Sequence, residues 1–540
     1  MAISAVVEST SMWGRTLAAR PEDPHQIHRD KLRVALMQMR DNCMVLARQI
    51  HPNLPGLTVH DESHLDALWH TADLIAGPDF AMNPLEAFVF GGAVLLHDTA
   101  LTLVAYPGGL ASLKATVEWQ DEAASMPENL GQDAEKELLF RVLRTLHAKQ
   151  AEALASASFA RPNTNEQIYL LGDAELRDAY AYSIGRIAHS HHWDSSVLAD
   201  RLQMVVGPLP GFPAEWSLNE LKIACLLRTA DAAHIDSRRA PTLLYAISQP
   251  SGISQLHWEF QNKLHQVARS ADKLIFSSGS PFTAEQASSW WLCHDTLKMI
   301  DREIKNCNAI LTDKVILPFA AKSVAGIESP LLLAHHIKVS GWRPVDAAVH
   351  VSDPVHLAKT LGGRNLYGDG LQAPIRELLQ NAVDAVRARR LQEDRGNEWG
   401  RVRLLIEKNG EDIWLHVDDQ GIGMSEAVLT GPLIDFGKSL WSSGLLQEEF
   451  PGLRSKRLKP IGKFGIGFFS IFLLGDEVRV VSKKYNTGDS EARVLEFSQL
   501  TRRPLIRRSN PNELPRDFST RVSVKLKNYP QREITNPYAT

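Results

Sequence analysis

Histidines and acidic residues that could bind a metal recur through the first 240 residues of the sequence. Imidazole and carboxylate groups together form a mixed nitrogen and oxygen donor set, which suits Mn, Fe, Co, Ni or Zn. A metal in such a set lowers the pKa of a bound water and polarises a phosphoryl oxygen. Each histidine taken alone is more often a structural or surface residue, so that alternative stays open here. The clustered residues include His60, His64, His97, Asp98, His147, His189, His191, His192 and Asp231.

A second group of polar residues lies on one predicted helical face in the C-terminal third. Glu377, Asn381 and Asp384 are spaced i, i+4 and i+7, which places them on the same side of a helix. A carboxylate, an amide oxygen and a second carboxylate suit a hydrated Mg²⁺, because this ion prefers oxygen ligands. A solvated polar face explains the same three residues equally well.

Two glycine-rich segments follow this helix in the sequence. In segment 418–424, Asp419 could accept a hydrogen bond from an adenine amino group, and Gly421 and Gly423 would let the backbone approach a ligand. An ordinary turn is an equal alternative. In segment 462–470, a glycine-rich loop runs into an apolar helical pattern, and a helix N-terminus attracts phosphate. Taken alone, such a glycine pattern is common in loops.

These residues must be positioned by two kinds of structure. Residues 28–205 have mostly helical periodicity, whereas the C-terminal part alternates between helix and strand patterns. Asn409-Gly410 is a typical hairpin dipeptide between two alternating runs. The predicted helices include 136–155, 221–233, 284–311 and 371–390, and the predicted strands are 243–247, 256–260, 402–408, 412–417, 477–482 and 521–527. A polar stretch, 438–459, separates the two glycine-rich segments.

Length and composition are those of an ordinary multidomain protein. At 540 residues the chain is long enough for about three to four domains. Its 59 basic and 63 acidic residues give a net charge of −4, which argues against a nucleic-acid or anionic-membrane partner. The apolar runs 87–96 and 464–474 fall short of the roughly 20 residues of a membrane span. Four cysteines without a disulfide pattern, and the lack of a signal-peptide pattern, predict a cytoplasmic protein.

Taken together, the three C-terminal segments resemble the GHKL ATPase superfamily over about residues 350–530, most closely its ninety-kilodalton heat-shock chaperone branch. Histidine kinases and MutL proteins fit the motifs less well. The resemblance implies that Glu377 is the general base for the attacking water, that Asn381 carries Mg²⁺ and that Asp419 reads adenine. Thr520 lies where that branch places a threonine near the adenine-binding aspartate. The other implied ATP-binding residues are Asp384, Ala385, Gly421, Gly423, Met424, Ser439, Gly465, Gly467 and Phe468.

One departure from the chaperone pattern concerns the γ-phosphate. The chaperone branch uses a basic residue from a following middle domain to contact this phosphate, and the sequence stops at Thr540. We therefore expect either that region 240–340 or a partner supplies the basic group, or that the sequence is a piece of a longer protein.

The N-terminal set, in its order, resembles the HD phosphohydrolase superfamily over about residues 30–240. That superfamily has a histidine, a His-Asp pair and a distant aspartate on an all-helical bundle. The resemblance implies that His60 contacts the metal ligands without binding the metal itself. The segment His97-Asp98-Thr99 lacks the glycine that often follows the pair. The implied ligands are His64, His97, Asp98 and Asp231, and His147 with His191 or His192 would serve a second metal.

The prediction is a multidomain α and α+β protein. It comprises an HD-like helical domain (1–240), a connector with strands and a long helix (241–350), and a GHKL, or Bergerat, α/β sandwich (351–540). We expect ATP hydrolysis with Mg²⁺, and metal-dependent hydrolysis of a phosphorylated or nucleotide substrate gated by an ATP-driven lid. The lid could instead gate a partner surface. A homodimer and a client or partner protein are expected, without membrane or nucleic acid. The alternative is an ATP-dependent chaperone or scaffold whose HD-like domain is a non-catalytic nucleotide-binding or interaction module.

Overall fold

A computed structural model describes residues 5–126, 134–345, 372–462, 465, 467–498 and 504–527. The chain forms two compact units, which are 1–114 with 135–347 and 115–134 with 348–540. Segment 115–134 thus packs with C-terminal residues, although both of its neighbours in the chain belong to the first unit. The predicted domain boundaries at 240 and 350 stay predictions, and residue 350 lies outside the described residues.

The helices account for most of the first unit. Among the described residues, no helix has both the length and the apolar character needed to cross a lipid bilayer. In chain order the helices are α1 (Ala5–Glu8), α2 (Ser11–Thr16), α3 (Gln26–Ala47), α4 (Ile50–Asn53), α5 (Glu62–Ala76), α6 (Pro84–Leu96), α7 (Gly109–Lys114), α8 (Val117–Ser125), α9 (Ala134–Leu154), α10 (Ala174–His189), α11 (Leu198–Arg201), α12 (Glu220–Ala233), α13 (Thr242–Ser248), α14 (Gly252–Lys263), α15 (Ala287–Asp313), α16 (Pro330–Leu333), α17 (Gln372–Glu393), α18 (Glu426–Thr430) and α19 (Leu445–Glu449).

Within the described residues, the strands form three separate sheets. A two-stranded hairpin and a three-stranded sheet belong to the first unit, and a six-stranded sheet belongs to the second. In chain order the strands are β1 (Ser158–Ala160), β2 (Gln167–Tyr169), β3 (Ala268–Ser270), β4 (Lys273–Ile275), β5 (Ser323–Val324), β6 (Val402–Asn409), β7 (Asp412–Asp419), β8 (Val478–Ser482), β9 (Arg493–Phe497), β10 (Leu505–Arg508) and β11 (Thr520–Lys525).

Helix α6 is the centre of the first unit. Every one of its residues is buried, and it packs against α3, α10 and α12, while α5 packs against α12. A capping box between Asn83 and Glu86 fixes its first turn. The helix contains the apolar run 87–96, as the helical periodicity of residues 28–205 predicts, and it ends at Leu96, which places His97 and Asp98 at its buried end.

Two predicted strands and one feature of the predicted bundle are wrong. Residues 243–247 and 256–260 lie in helices α13 and α14, because an apolar run of about five residues does not distinguish strand from helix. The region before residue 240 is not all helical either, because β1 and β2 pair as an antiparallel hairpin. Their three-residue strands are too short to show a period. The long helix predicted at 284–311 is confirmed by α15.

The second unit contains a wholly antiparallel sheet in the order β10-β9-β8-β11-β7-β6. The hairpin predicted at Asn409-Gly410 is confirmed, and Gly410 has a φ of 64°, which favours glycine. Helix α17 packs on β6 and β7 and buries Leu378 and Ala382 at helical spacing. The apolar segment after the second glycine-rich loop forms a 3₁₀ helix, Gly467–Leu473, rather than an α-helix. The unit is therefore α+β, with strands β9 and β10 added to those predicted.

Candidate metal centre and nucleotide-binding cavity

Four predicted ligands meet at one point of the first unit. His64 lies on α5, His97 and Asp98 directly follow α6, and Asp231 lies on α12. His97 Nε2 is 3.2 Å from Asp98 Oδ2 and 3.5 Å from Asp231 Oδ1, and His64 Nε2 is 3.6 and 3.7 Å from the same oxygens. Bonds of about 2.1 Å in a tetrahedral metal site give donor-to-donor edges of about 3.4 Å. The four donor atoms are therefore spaced as a divalent metal requires.

Three other histidines lie next to this set. His147 on α9 groups with His191 and His192, which lie in a 3₁₀ turn after α10. His147 Nε2 is 3.3 Å from His191 Nε2 and 3.5 Å from Asp98 Oδ1. Since Asp98 Oδ2 faces the first group and Oδ1 faces the second, this carboxylate lies between two candidate metal positions.

Hydrogen bonds to the backbone fix the rings of these histidines. Nδ1 of His97 donates to the carbonyl of Val94 at 2.8 Å, and Nδ1 of His147 donates to that of Arg144 at 2.8 Å. A carbonyl only accepts, so Nδ1 carries a proton, and Nε2 is the nitrogen whose lone pair is available to a metal when the ring is neutral. Nε2 is the atom that faces the donor set in both cases, which is the tautomer that a metal ligand needs.

The charge balance of the first group favours a cation at its centre. Burial opposes a charge on His97, but Asp98 and Asp231 outweigh it and raise its pKa well above the usual value. Burial likewise opposes the charge on both carboxylates, but the neighbouring histidines outweigh it and lower the pKa of each.

In the second group, burial is the main cause of the lowered pKa values. It lowers the pKa of His147, His191 and His192 to about 4. These three rings are neutral at pH 7, as metal ligands must be. The chemistry of both donor sets therefore fits divalent transition metals.

Several residues contact the candidate ligands without belonging to the donor sets. Of these, the sequence analysis predicted only His60. Arg239 is buried and donates from Nη2 to His60 Nε2 at 2.6 Å. His234, which follows α12, lies against His64, and Asp236 lies 3.7 Å beyond it. No spacing in the sequence indicates these contacts. They depend on the path of the chain after α12 ends at Ala233, and this path brings residues 234–239 to His60 and His64.

The second unit contains a cavity of about 330 Å³ between α17, the sheet and the two glycine-rich segments. Helical spacing brings Glu377 and Asn381 to its wall, and strand pairing places Thr520 directly opposite Asp419. Among the predicted residues, those that line the cavity are Glu377, Asn381, Ala385, Asp419, Gly423, Met424, Ser439, Gly465, Gly467, Phe468 and Thr520. Lining residues that were not predicted include Lys438, Trp441, Val417 and Val522.

Asp384 and Gly421 shape the cavity without lining it. Asp384 is fully buried and accepts hydrogen bonds from the backbone N–H groups of Ile461 and Gly462, at 2.7 and 2.9 Å. Gly421 donates from its backbone N–H to Asp419 Oδ1 at 2.8 Å. Asp384 thus holds the start of the second glycine-rich segment. Lys463, Phe464 and Ile466 of that segment lie outside the described residues.

Two glycines allow close backbone approaches at this site. Gly423 has a φ of 71°, and a Cβ atom there would collide with the carbonyl oxygen of Lys483. Gly465 has a φ of 64°, and a Cβ atom would collide with the backbone of Lys438. The second contact ties the glycine-rich loop to the start of segment 438–459, which we term the lid segment.

Helix α8 binds the lid segment within the second unit. Asp121 on α8 is fully buried. Its Oδ2 accepts from the backbone N–H of Gly452 at 2.7 Å, and its Oδ1 accepts from that of Ser455 at 2.8 Å. In the sequence, α8 lies between Asp98 and His147, so it is inserted between two elements of the metal centre.

Comparison with known proteins finds a family match within the first unit. Residues 54–306 match the HD-CE family model. That range contains every candidate metal ligand of the first unit. The HD-CE match supports an HD-type domain in this part of the chain, and the His and Asp groups described above could hold a metal.

The chain is also similar to bacterial chaperones over a shorter stretch. Chaperone protein HtpG of Chlorobaculum tepidum is 35% identical over 121 residues, which are 21% of this chain and 19% of HtpG. HtpG of Aliarcobacter butzleri is 36% identical over 126 residues, 22% of this chain and 19% of HtpG. The chain thus spans about a fifth of the length of these relatives. These similarities support an HD-type domain fused to a chaperone-like module.

Proposed function

We propose that the first unit is a metal-dependent phosphohydrolase that acts on a phosphorylated or nucleotide substrate. The convergence of the four donor atoms at 3.2–3.7 Å carries this proposal. His64, His97, Asp98 and Asp231 would hold one divalent metal, and His147, His191 and His192 a second. When bound, such metals polarise a phosphoryl oxygen and lower the pKa of water. Backbone hydrogen bonds would keep the rings of His97 and His147 oriented, and the carboxylates of Asp98 and Asp231 would offset the positive charge of the metal.

Metal content tests the phosphohydrolase proposal. We expect the double variant His97→Ala/Asp98→Ala to lose bound metal and hydrolysis of a nucleotide and phosphomonoester panel, because it removes two of four donors. Elemental analysis of the purified full chain measures the metal. His189→Ala is the matched control. His189 is the last residue of α10, close in sequence to His191 and His192 but outside both donor sets, and its Nδ1 contacts Glu152 on α9. Stoichiometric metal in the double variant would overturn the assignment.

We propose further that the cavity of the second unit binds ATP with Mg²⁺ and hydrolyses it. Glu377 would orient the attacking water, Asn381 would carry Mg²⁺ and Asp419 would accept from the adenine amino group. The adjacency of Asp419 and Thr520 in the sheet, and of Glu377 and Asn381 on α17, supports this proposal. Catalysis of phosphoryl transfer depends mainly on positioning and charge stabilisation, so turnover should depend on lid closure.

Glu377→Ala tests the ATPase proposal. It should abolish ATP turnover by the full chain yet leave ATP affinity within a few-fold of wild type, because general-base removal affects the chemical step. Phosphate release and equilibrium nucleotide binding measure the two effects separately. Glu393→Ala, which removes a carboxylate at the other end of the same helix, is the control. Wild-type turnover in Glu377→Ala would contradict the assignment.

We propose that lid closure gates the metal centre, and the docking of α8 on the lid segment supports this link. The chaperone or scaffold alternative predicts instead a metal-free first unit without activity on the same substrate panel. Homodimerisation and a client or partner protein remain predictions, and so does the cytoplasmic location expected from the cysteines and the N-terminal sequence.

A further inference from the structure

His64 differs from the other histidines of the metal centre in the partner of its Nδ1 atom. In His97, His147 and His191, Nδ1 donates to the carbonyl three residues earlier. Nδ1 of His64 instead faces Nδ1 of His234 at 2.7 Å. A carbonyl can only accept, whereas an imidazole nitrogen can donate or accept. The tautomer of His64, and so its ability to bind a metal, is therefore decided by His234.

The geometry of this contact is that of a hydrogen bond in the plane of both rings. The rings of His64 and His234 are inclined by 16° and their centres lie 5.0 Å apart. That separation equals the 2.7 Å contact plus one ring radius at each end, so both nitrogen atoms lie on the line between the centres.

Arg239 does not compete for the same lone pair of His64. Its Nη1 lies 3.0 Å from His64 Nδ1 and 3.4 Å from His64 Nε2. An atom on the lone-pair axis of one ring nitrogen would be far from the other nitrogen. The guanidinium therefore lies against the face of the ring, and His234 is the in-plane partner of Nδ1.

The far side of His234 faces an anchored carboxylate. His234 Nε2 is buried, has no hydrogen-bond partner within the described structure and lies 3.7 Å from Asp236 Oδ2. Asp236 is held by Arg238, whose Nε and Nη2 donate to it at 2.9 and 2.6 Å. A carboxylate at this position favours a proton on His234 Nε2, and it leaves His234 Nδ1 as an acceptor.

We propose that His234, fixed by Asp236, is the positioning residue that makes His64 a metal ligand. His234 Nδ1 accepts the Nδ1 proton of His64, so the lone pair of His64 Nε2 points toward Asp98 and Asp231. The opposite tautomer would place a proton on His64 Nε2 and exclude the metal. The inference rests on the proposed function in one respect, namely that His64 binds metal.

Three substitutions at residue 234 separate this role from packing. His234→Asn keeps an acceptor near the position of Nδ1, whereas His234→Gln keeps one near Nε2 and His234→Ala keeps neither. We expect His234→Gln and His234→Ala to weaken Mn²⁺ binding about 10- to 100-fold, the usual effect of removing the hydrogen-bond partner of a metal ligand. Asn should retain affinity within a few-fold. Titration of the metal-depleted full chain, followed by the electron paramagnetic resonance of free Mn²⁺, measures each affinity.

His294→Ala provides the matched control, because His294 on α15 is also a buried histidine whose Nε2 has no hydrogen-bond partner among the described residues. It should bind Mn²⁺ as wild type does. Thermal unfolding of the metal-depleted proteins reports packing alone, and Asn and Gln should unfold together while their Mn²⁺ affinities differ. If Asn and Gln bind Mn²⁺ equally, the inference is wrong. If wild type binds no Mn²⁺, the proposed function itself fails, and this distinguishes the two failures.

Discussion

Two adjacent acids at the end of β7 have opposite electrostatic surroundings. Successive strand residues face opposite sides of a sheet, so Asp418 and Asp419 enter different environments. Asp418 accepts hydrogen bonds from Arg403 and Arg521. Asp419 lines the cavity, and burial, with the nearby charge of Asp418, raises its pKa to about 7 despite the backbone N–H of Gly421.

This pKa predicts a pH dependence for ATP binding. An adenine amino group donates, so binding favours the ionised carboxylate, whereas the raised pKa keeps Asp419 protonated below about pH 7. ATP affinity should therefore rise about tenfold between pH 6 and pH 8, as the ionised fraction increases. Calorimetric or fluorescence titration across this range measures the effect.

Asp419→Asn is the control for that experiment, because the phosphates of ATP titrate equally with both proteins. The difference between wild type and variant should contain the whole contribution of Asp419. An identical pH profile in both proteins would rule out this role for the carboxylate.

Helix α8 belongs by sequence to one unit and by packing to the other. Lys114 and Glu135, which flank segment 115–134 in the chain, form an exposed ion pair with Nζ and Oε2 3.3 Å apart. Residue 98 precedes the segment by only a short connection, and α9, which carries His147, follows it directly. If the lid segment gates the candidate metal centre, as we propose, the covalent chain on both sides of α8 is the connection through which it would act.

Asp121→Asn should uncouple the two activities. The amide can accept from only one of the two backbone N–H groups, so a buried donor is left unpaired at a cost of about 1–3 kcal/mol. We expect the phosphohydrolase rate of the variant to lose its response to a non-hydrolysable ATP analogue. Wild type should keep that response, and metal content and ATP binding should stay within a few-fold of wild type.

Gln120→Ala tests whether the effect is specific, since Gln120 is the exposed neighbour of Asp121 on the same helix. It should respond to the analogue as wild type does. A full response in Asp121→Asn would show that the lid segment does not act through α8.

At the scale of the whole molecule, the two candidate sites differ in how far apart in the sequence their residues lie. In the second unit, residues close in sequence or paired in the sheet form most of the cavity, so the three segments indicated its lining well. In the first unit, the candidate ligands come from helices that are far apart in the sequence. Only the order of these residues along the chain, and its resemblance to the HD phosphohydrolase superfamily, indicated that they meet. The HD-CE match over 54–306 and the short HtpG similarity support the same two-module organisation.

The sequence by itself determined the residue types at both sites, the helical face of Glu377 and Asn381, the hairpin at Asn409-Gly410 and the buried helix before His97. These features depend on spacing within one element, which local periodicity records. Tertiary structure alone decided that α13 and α14 are helices, since their short apolar runs are ambiguous. It also decided that His234 meets His64, 170 residues away, and that Asp121 meets Gly452, 331 residues away. Such contacts depend on how distant elements pack, and no local pattern carries that information.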